Sequence, residues 1–135
     1  RIEVNMKKKK ILLVDDEKDF VDSVKELFSV RGYEVVIAMN GIEGLEKARE
    51  LPDLILLDIK MPGPDGFEVL RRIQKDPSIA KIPVIMLTSK AETEAIFEAH
   101  DLWATDYIIK PADLKELLGM VQKYLDEDKI RPVSI

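Results

Sequence analysis

Short runs of apolar residues alternate along the chain with longer stretches whose apolar positions recur every three or four residues. Runs this short, bounded by turn residues, read as strands buried on both faces, and the longer pattern reads as amphipathic helices. The first strand is Ile11-Leu12-Leu13-Val14, closed by Asp15-Asp16-Glu17. A helix starting near Asp19 carries Phe20, Val24, Leu27 and Phe28 inward and stops at Arg31-Gly32. Residues 34–38, rich in β-branched side chains, form the second strand. Asn40 caps a second helix with Ile42, Leu45, Ala48 and Leu51 on its inner face, and Pro52 ends it.

The third strand, Leu54-Ile55-Leu56-Leu57, ends in Asp58. The loop after it, Met61-Pro62-Gly63-Pro64-Asp65-Gly66, cannot run straight on into a helix, so it forms a fixed turn beside that carboxylate. A third helix from about Asp65 turns Phe67, Leu70 and Ile73 inward and ends near Asp76-Pro77. Residues 82–88 make a fourth strand with Pro83 at its start. The fourth helix, about 92–101, has a thin apolar face (Ala95, Ile96, Ala99, Leu102) and is expected to be the least firmly packed. Tyr107-Ile108-Ile109-Lys110 is the fifth strand. Asp113 caps a last helix with Leu114, Leu117, Leu118, Val121 and Leu125 inward. Five strand–helix units imply a parallel sheet with helices on both faces and right-handed crossovers, in an order that periodicity alone leaves open.

Composition narrows the chemistry. A chain of 135 residues has room for one domain with one core. With 46% hydrophobic and 35% charged residues it reads as globular rather than disordered. A net charge of -5 argues against a nucleic-acid surface. The absence of cysteine excludes disulfides and thiolate metal sites, and the single histidine, His100, reads as a surface helix residue. No apolar run approaches the roughly 18 residues of a membrane span, and no secretory signal is visible, so a cytoplasmic location is expected. Residues 1–7 read as an N-terminal extension, tag remnant or linker end, 8–126 as the folded domain, and 127–135 as a tail or the start of a linker. The basic run Lys7–Lys10 reads as a solvated lead-in.

In a parallel α/β sheet the strands end on one edge, where ligand chemistry gathers. Here the strand ends supply Asp15 and Asp16, then Asp58, Thr88 and Lys110. Close carboxylates cannot all stay ionised unless a cation shares the site. Oxygen-only ligands point to a hard cation, Mg²⁺, which can hold a phosphoryl oxygen. Lys110 and Thr88 would serve the remaining phosphoryl oxygens, and Asp58, standing between the acidic pair and Thr88/Lys110, is the best candidate for a covalent acceptor. Asp53, Asp65 and Asp113 read as turn and cap residues.

On LLVDDE, LLDIKMPGPDG, PVIMLTS and DYIIKP the chain resembles a response-regulator receiver domain of the CheY-like type, over about residues 8–126. The resemblance implies a flavodoxin-like (βα)5 doubly wound parallel sheet with strand order 2-1-3-4-5. It implies that Asp58 is the phosphoacceptor, that Asp16, Asp58 and the backbone carbonyl of Lys60 bind Mg²⁺ directly, and that Asp15 acts partly through water. Lys110 would contact the phosphoryl group, with a cis Lys110-Pro111 bond. Thr88 and Tyr107 would be the switch pair, moving inward together and remodelling the face formed by the fourth helix, fifth strand and last helix. The implied partners are a sensor histidine kinase or phosphotransfer protein as donor, and a downstream target or output domain. There would be no direct nucleic-acid binding and no membrane, and a homodimer could form through that same face. Such a domain catalyses only its own phosphoryl transfer and hydrolysis.

The chain departs from the family pattern in places. Trp103 sits just before a position where the family usually has glycine, and reads either as core filler or as an anchor for a partner. Ala112 stands where phenylalanine is frequent. Lys60 and Lys90 lie two residues beyond Asp58 and Thr88, at positions that in the family flank the path of the hydrolytic water, and read either as solvated loop charges or as residues that alter phosphoryl lifetime. Three other functions compete: a pseudo-receiver, a flavin protein and a phosphatase for outside substrates. The intact acidic, hydroxyl and lysine set speaks against the first. The acidic loop after the first strand would repel a flavin phosphate. The short loops offer the third no substrate pocket.

Overall fold

A computed structural model describes residues 7–89, 92, 104–110 and 113–126. Five parallel strands, β1 (Lys10–Val14), β2 (Glu34–Ala38), β3 (Leu54–Asp58), β4 (Val84–Ser89) and β5 (Asp106–Lys110), form one sheet in the order β2-β1-β3-β4-β5. The described helices are α1 (Lys18–Val30), α2 (Gly41–Ala48), α3 (Gly66–Lys75) and α4 (Leu114–Leu125). Residues 93–101 of the expected fourth helix, His100 among them, lie outside the described residues, as do Lys90, Trp103, Pro111 and Ala112.

Side chains alternate across each strand, and the two faces of the sheet feed two cores. Leu12, Val14, Ile55, Leu57 and Met86 pack with α2 and α3. Ile11, Leu13, Leu54, Leu56, Ile85, Leu87 and Ile108 pack with α1 and α4. Every residue of β3 is buried, and all but the terminal Asp58 are apolar, as a strand covered on both faces requires. Each fully buried leucine or isoleucine contributes about 1.5–3 kcal/mol. The core is therefore richest around β1 and β3.

Helix boundaries follow local chemistry. Asn40, Asp65 and Asp113 each accept a backbone N–H in the first turn of α2, α3 and α4. Glu17 precedes α1 without a side-chain cap bond. Ser89 and Glu92 exchange reciprocal bonds of 3.1 and 3.3 Å, a capping-box pairing. The inner face expected for the second helix is corrected. Ile42 is 50% exposed and Leu51 62% exposed, because α2 ends at Ala48 and Leu51 lies beyond it at φ 60°. Gly44 takes the buried position instead. On α1, Val21 is buried while Phe20 and Leu27 lie only partly buried against the core.

Candidate functional site

The reversal of strand order between β1 and β3 opens a cleft at the carboxyl edge of the sheet. Asp15 stays in the ladder, its N–H donating to the Ala38 carbonyl at 3.0 Å. Asp58 ends β3 opposite Leu87, and the ladder continues with Ile59 N–H donating to Leu87 at 3.1 Å. Thr88 and Lys110 are held in register by the β4–β5 pairing. The loop after Asp58 folds back so that Gly66 N–H reaches the Ile59 carbonyl at 2.7 Å. A Cβ at Gly66 would lie 2.4 Å from the Asp58 carbonyl oxygen, so only glycine allows this approach. Gly63, at φ +76°, makes the bend.

One carboxylate oxygen each from Asp15, Asp16 and Asp58 lies within 4.8 Å of the others. Asp15 is fully buried, Asp16 is exposed, and Asp58 is 7% exposed. Asp58, which ends a strand at the sheet's edge, is thus recessed rather than presented on the surface. Burial and the neighbouring Asp15 charge push its pKa up to about 7, against the opposing pull of Lys110 and the Lys60 backbone N–H. Lys110 Nζ lies 2.9 Å from Asp15 Oδ2 and 3.9 Å from Asp58 Oδ2. Burial works against the Lys110 charge, but hydrogen bonds to Asp15 and Glu17 outweigh it and raise its pKa.

Thr88 is buried, and its hydroxyl donates to the Ser89 carbonyl at 3.0 Å. Tyr107 is partly buried against the core on the α2/α3 side. Lys60 is exposed. Sequence reasoning missed Glu17, whose Oε1 is 2.9 Å from Lys110 Nζ, and Phe20, whose ring centroid lies 4.6 Å from it. The uninterrupted Asp15-Asp16-Glu17 run was the available signal for the first. Glu92 also adds to the negative field at Asp58. A cavity of about 580 Å³ between α2 and α3, lined by Ile42, Leu45, Arg49 and Ile79 among others, contains none of the strand-end residues.

A doubly wound sheet with three acids and a lysine at its switch point defines a class of parallel α/β domain with an acidic strand-end site. Residues 11–122 match the family model of the response regulator receiver domain, and the chain belongs to that family: it is a receiver domain of two-component response regulators. It is similar to sporulation initiation phosphotransferase F of Bacillus subtilis, 39% identical over 121 residues covering 89% of this chain and 96% of that protein. It is also similar to the DNA-binding dual master transcriptional regulator RpaA of Synechocystis, 39% identical over 117 residues, covering 86% of this chain and 48% of the regulator. The chain thus spans about half the length of that regulator. Among solved structures, the receiver domain of the sensor histidine kinase PA1611 from Pseudomonas aeruginosa, with magnesium coordinated in its active-site cleft, superposes with a TM-score of 0.80 at 26% identity, over 89% of this chain and 99% of that one.

Proposed function

We propose that Asp58 is the phosphoryl acceptor of this receiver domain. The observation that carries the reading is a recessed carboxylate at the end of β3, with Asp15 and Asp16 oxygens within 4.8 Å and the Lys110 ammonium at 3.9 Å. Asp58 would attack the phosphorus of a phosphohistidine on a sensor kinase or phosphotransfer protein. A P–O bond forms as the donor's P–N bond breaks. Lys110 would neutralise a phosphoryl oxygen, and Thr88 would turn its hydroxyl from the Ser89 carbonyl toward another.

The donor set fits Mg²⁺. Three carboxylate oxygens within 4.8 Å of one another are hard ligands close enough to share one small cation. Asp16, Asp58 and the Lys60 carbonyl would hold the ion, with Asp15 acting partly through water. Bound there, it would neutralise charge developing on the transferring group. The magnesium in the Pseudomonas receiver supports this reading.

Receiver domains are phosphorylated switches. Here the proposed consequence is an inward shift of Thr88 and Tyr107, which alters the face around β5 and α4 that an output domain, a target or a second copy would read. The working unit is residues 8–126, with 127–135 as tail or linker. Phosphoryl chemistry on the domain itself is the only catalysis proposed, with Lys60 and Lys90 setting phosphoryl lifetime and Trp103 contributing to a partner contact. Among the described residues no helix is long and apolar enough to cross a membrane, and a cytoplasmic site of action is proposed.

The test is intact mass after incubation with acetyl phosphate and Mg²⁺. A gain of one phosphoryl group that needs both Mg²⁺ and Asp58 supports the reading. A gain that persists in Asp58→Asn overturns it.

A further inference from the structure

Lys110 has three N–H donors to distribute. Its ammonium stands 2.9 Å from both Asp15 and Glu17, but 3.9 Å from Asp58, the group it must serve once a phosphoryl is attached. Asp15 is a fixed anchor: it is fully buried, and its other oxygen accepts the Glu17 N–H at 2.9 Å. Glu17 differs, since its side chain is 60% exposed. The Phe20 ring, one turn along α1, supports the same ammonium position at 4.6 Å.

We infer that Glu17 is a positioning residue that holds Lys110 aside in the unphosphorylated domain and gives it up when Asp58 carries a phosphoryl group. The inference rests on the reading of Asp58 as acceptor. Drawing Nζ toward Asp58, so that its third N–H meets a phosphoryl oxygen, lengthens at least one of its two 2.9 Å contacts. Releasing Asp15 would strand a buried charge, which is expensive, whereas Glu17, 60% exposed, is rehydrated when it lets go, and the largely buried Lys110 exchanges its charge for that of the phosphoryl group. Glu17 is therefore the partner that yields. Its loss spares the fold, because the Glu17 side chain makes no cap bond to α1.

The experiment measures, by calorimetry, the affinity of the domain for beryllofluoride in the presence of Mg²⁺, and for Mg²⁺ alone. Three proteins are compared: the unaltered chain, Glu17→Gln, and Asp19→Asn, which removes the same charge from the same helix end without touching Lys110. Glu17→Gln should bind beryllofluoride about two- to fivefold more tightly, the worth of an exposed ion pair no longer broken. It should bind Mg²⁺ alone no more tightly than the unaltered chain, and Asp19→Asn should show no comparable gain. Equal gains in both variants would mean a general charge effect and would overturn the inference, as would no gain in Glu17→Gln. Failure of the unaltered chain to bind beryllofluoride at all would instead count against the acceptor reading itself.

Discussion

Two aspartates bracket β3 and meet opposite fates. Asp53, just before the strand, is exposed, and its carboxylate accepts the Lys10 N–H at 2.7 Å. Asp58, at the other end, is 7% exposed beside two more carboxylates, with its pKa pushed up to about 7. One end spends its acid on tying the sheet together. The other holds a carboxyl whose ionisation the fold disfavours until a cation arrives. Residue type and distance from the strand do not explain the difference; the direction of the strands does. In a parallel sheet the acids of β1 and β3 converge at their carboxyl ends, while at the amino ends Lys10 and Asp53 meet as donor and acceptor.

The sharpest break in this comparison is chemical. Asp58→Asn should abolish phosphoryl gain from acetyl phosphate, while Asp53→Asn leaves it intact, as read by intact mass. Next comes the counter-charge. Lys110→Met leaves the buried Asp15 without its ammonium and should lower stability by about 2–4 kcal/mol in urea titration. Lys10→Met, which loses only a long contact of 3.9 Å to Glu34, should change it by less than about 1 kcal/mol. Gly66→Ala forces a Cβ within 2.4 Å of the Asp58 carbonyl and should cost at least about 2 kcal/mol. It should also weaken phosphoryl uptake, by displacing the loop.

The pH test separates the two ends more finely. Between the ordinary aspartate value of about 4 and the folded value of about 7, the folded protein keeps a proton on Asp58 that the unfolded chain has lost. Stability contributed by that proton is full below the lower value and is lost as pH rises through the upper one. With chelator present, Asp58→Asn should therefore be more stable than the unaltered chain by about 1–3 kcal/mol at pH 8, and the gap should close toward pH 4. The smallest effect belongs to Leu51, held at φ 60° just before β3. Leu51→Gly should stabilise by about 0.5 kcal/mol, the relieved left-handed strain exceeding the added freedom of the unfolded chain.

The run of acids after β1, the acid that ends β3, the hydroxyl near the end of β4 and the lysine that ends β5 stand at strand ends that periodicity marks, so these candidates could be named from the sequence. The end of α2 could not. Its apolar spacing continues through Leu51, but the helix stops at Ala48, and the residue the pattern placed inward ends up exposed. Glu17 was legible as the third acid of the run after β1 but not as a partner of Lys110, because nothing in an acidic triplet says which members a distant lysine will meet.

The sequence by itself determined where the strands and the capped starts of α2, α3 and α4 fall and which end of each strand carries candidate chemistry. Those follow from side-chain periodicity, turn residues and caps acting over a few residues. Tertiary structure alone decided that Asp15 and Lys110, separated by 95 positions, close to 2.9 Å, and that Asp58 is buried while Asp53 is not. It also decided that Lys110 rests between Asp15 and Glu17 rather than on Asp58. Distances of that kind depend on strand order and on the depth of burial, and both come from how the whole sheet packs between its helices rather than from any local stretch of chain.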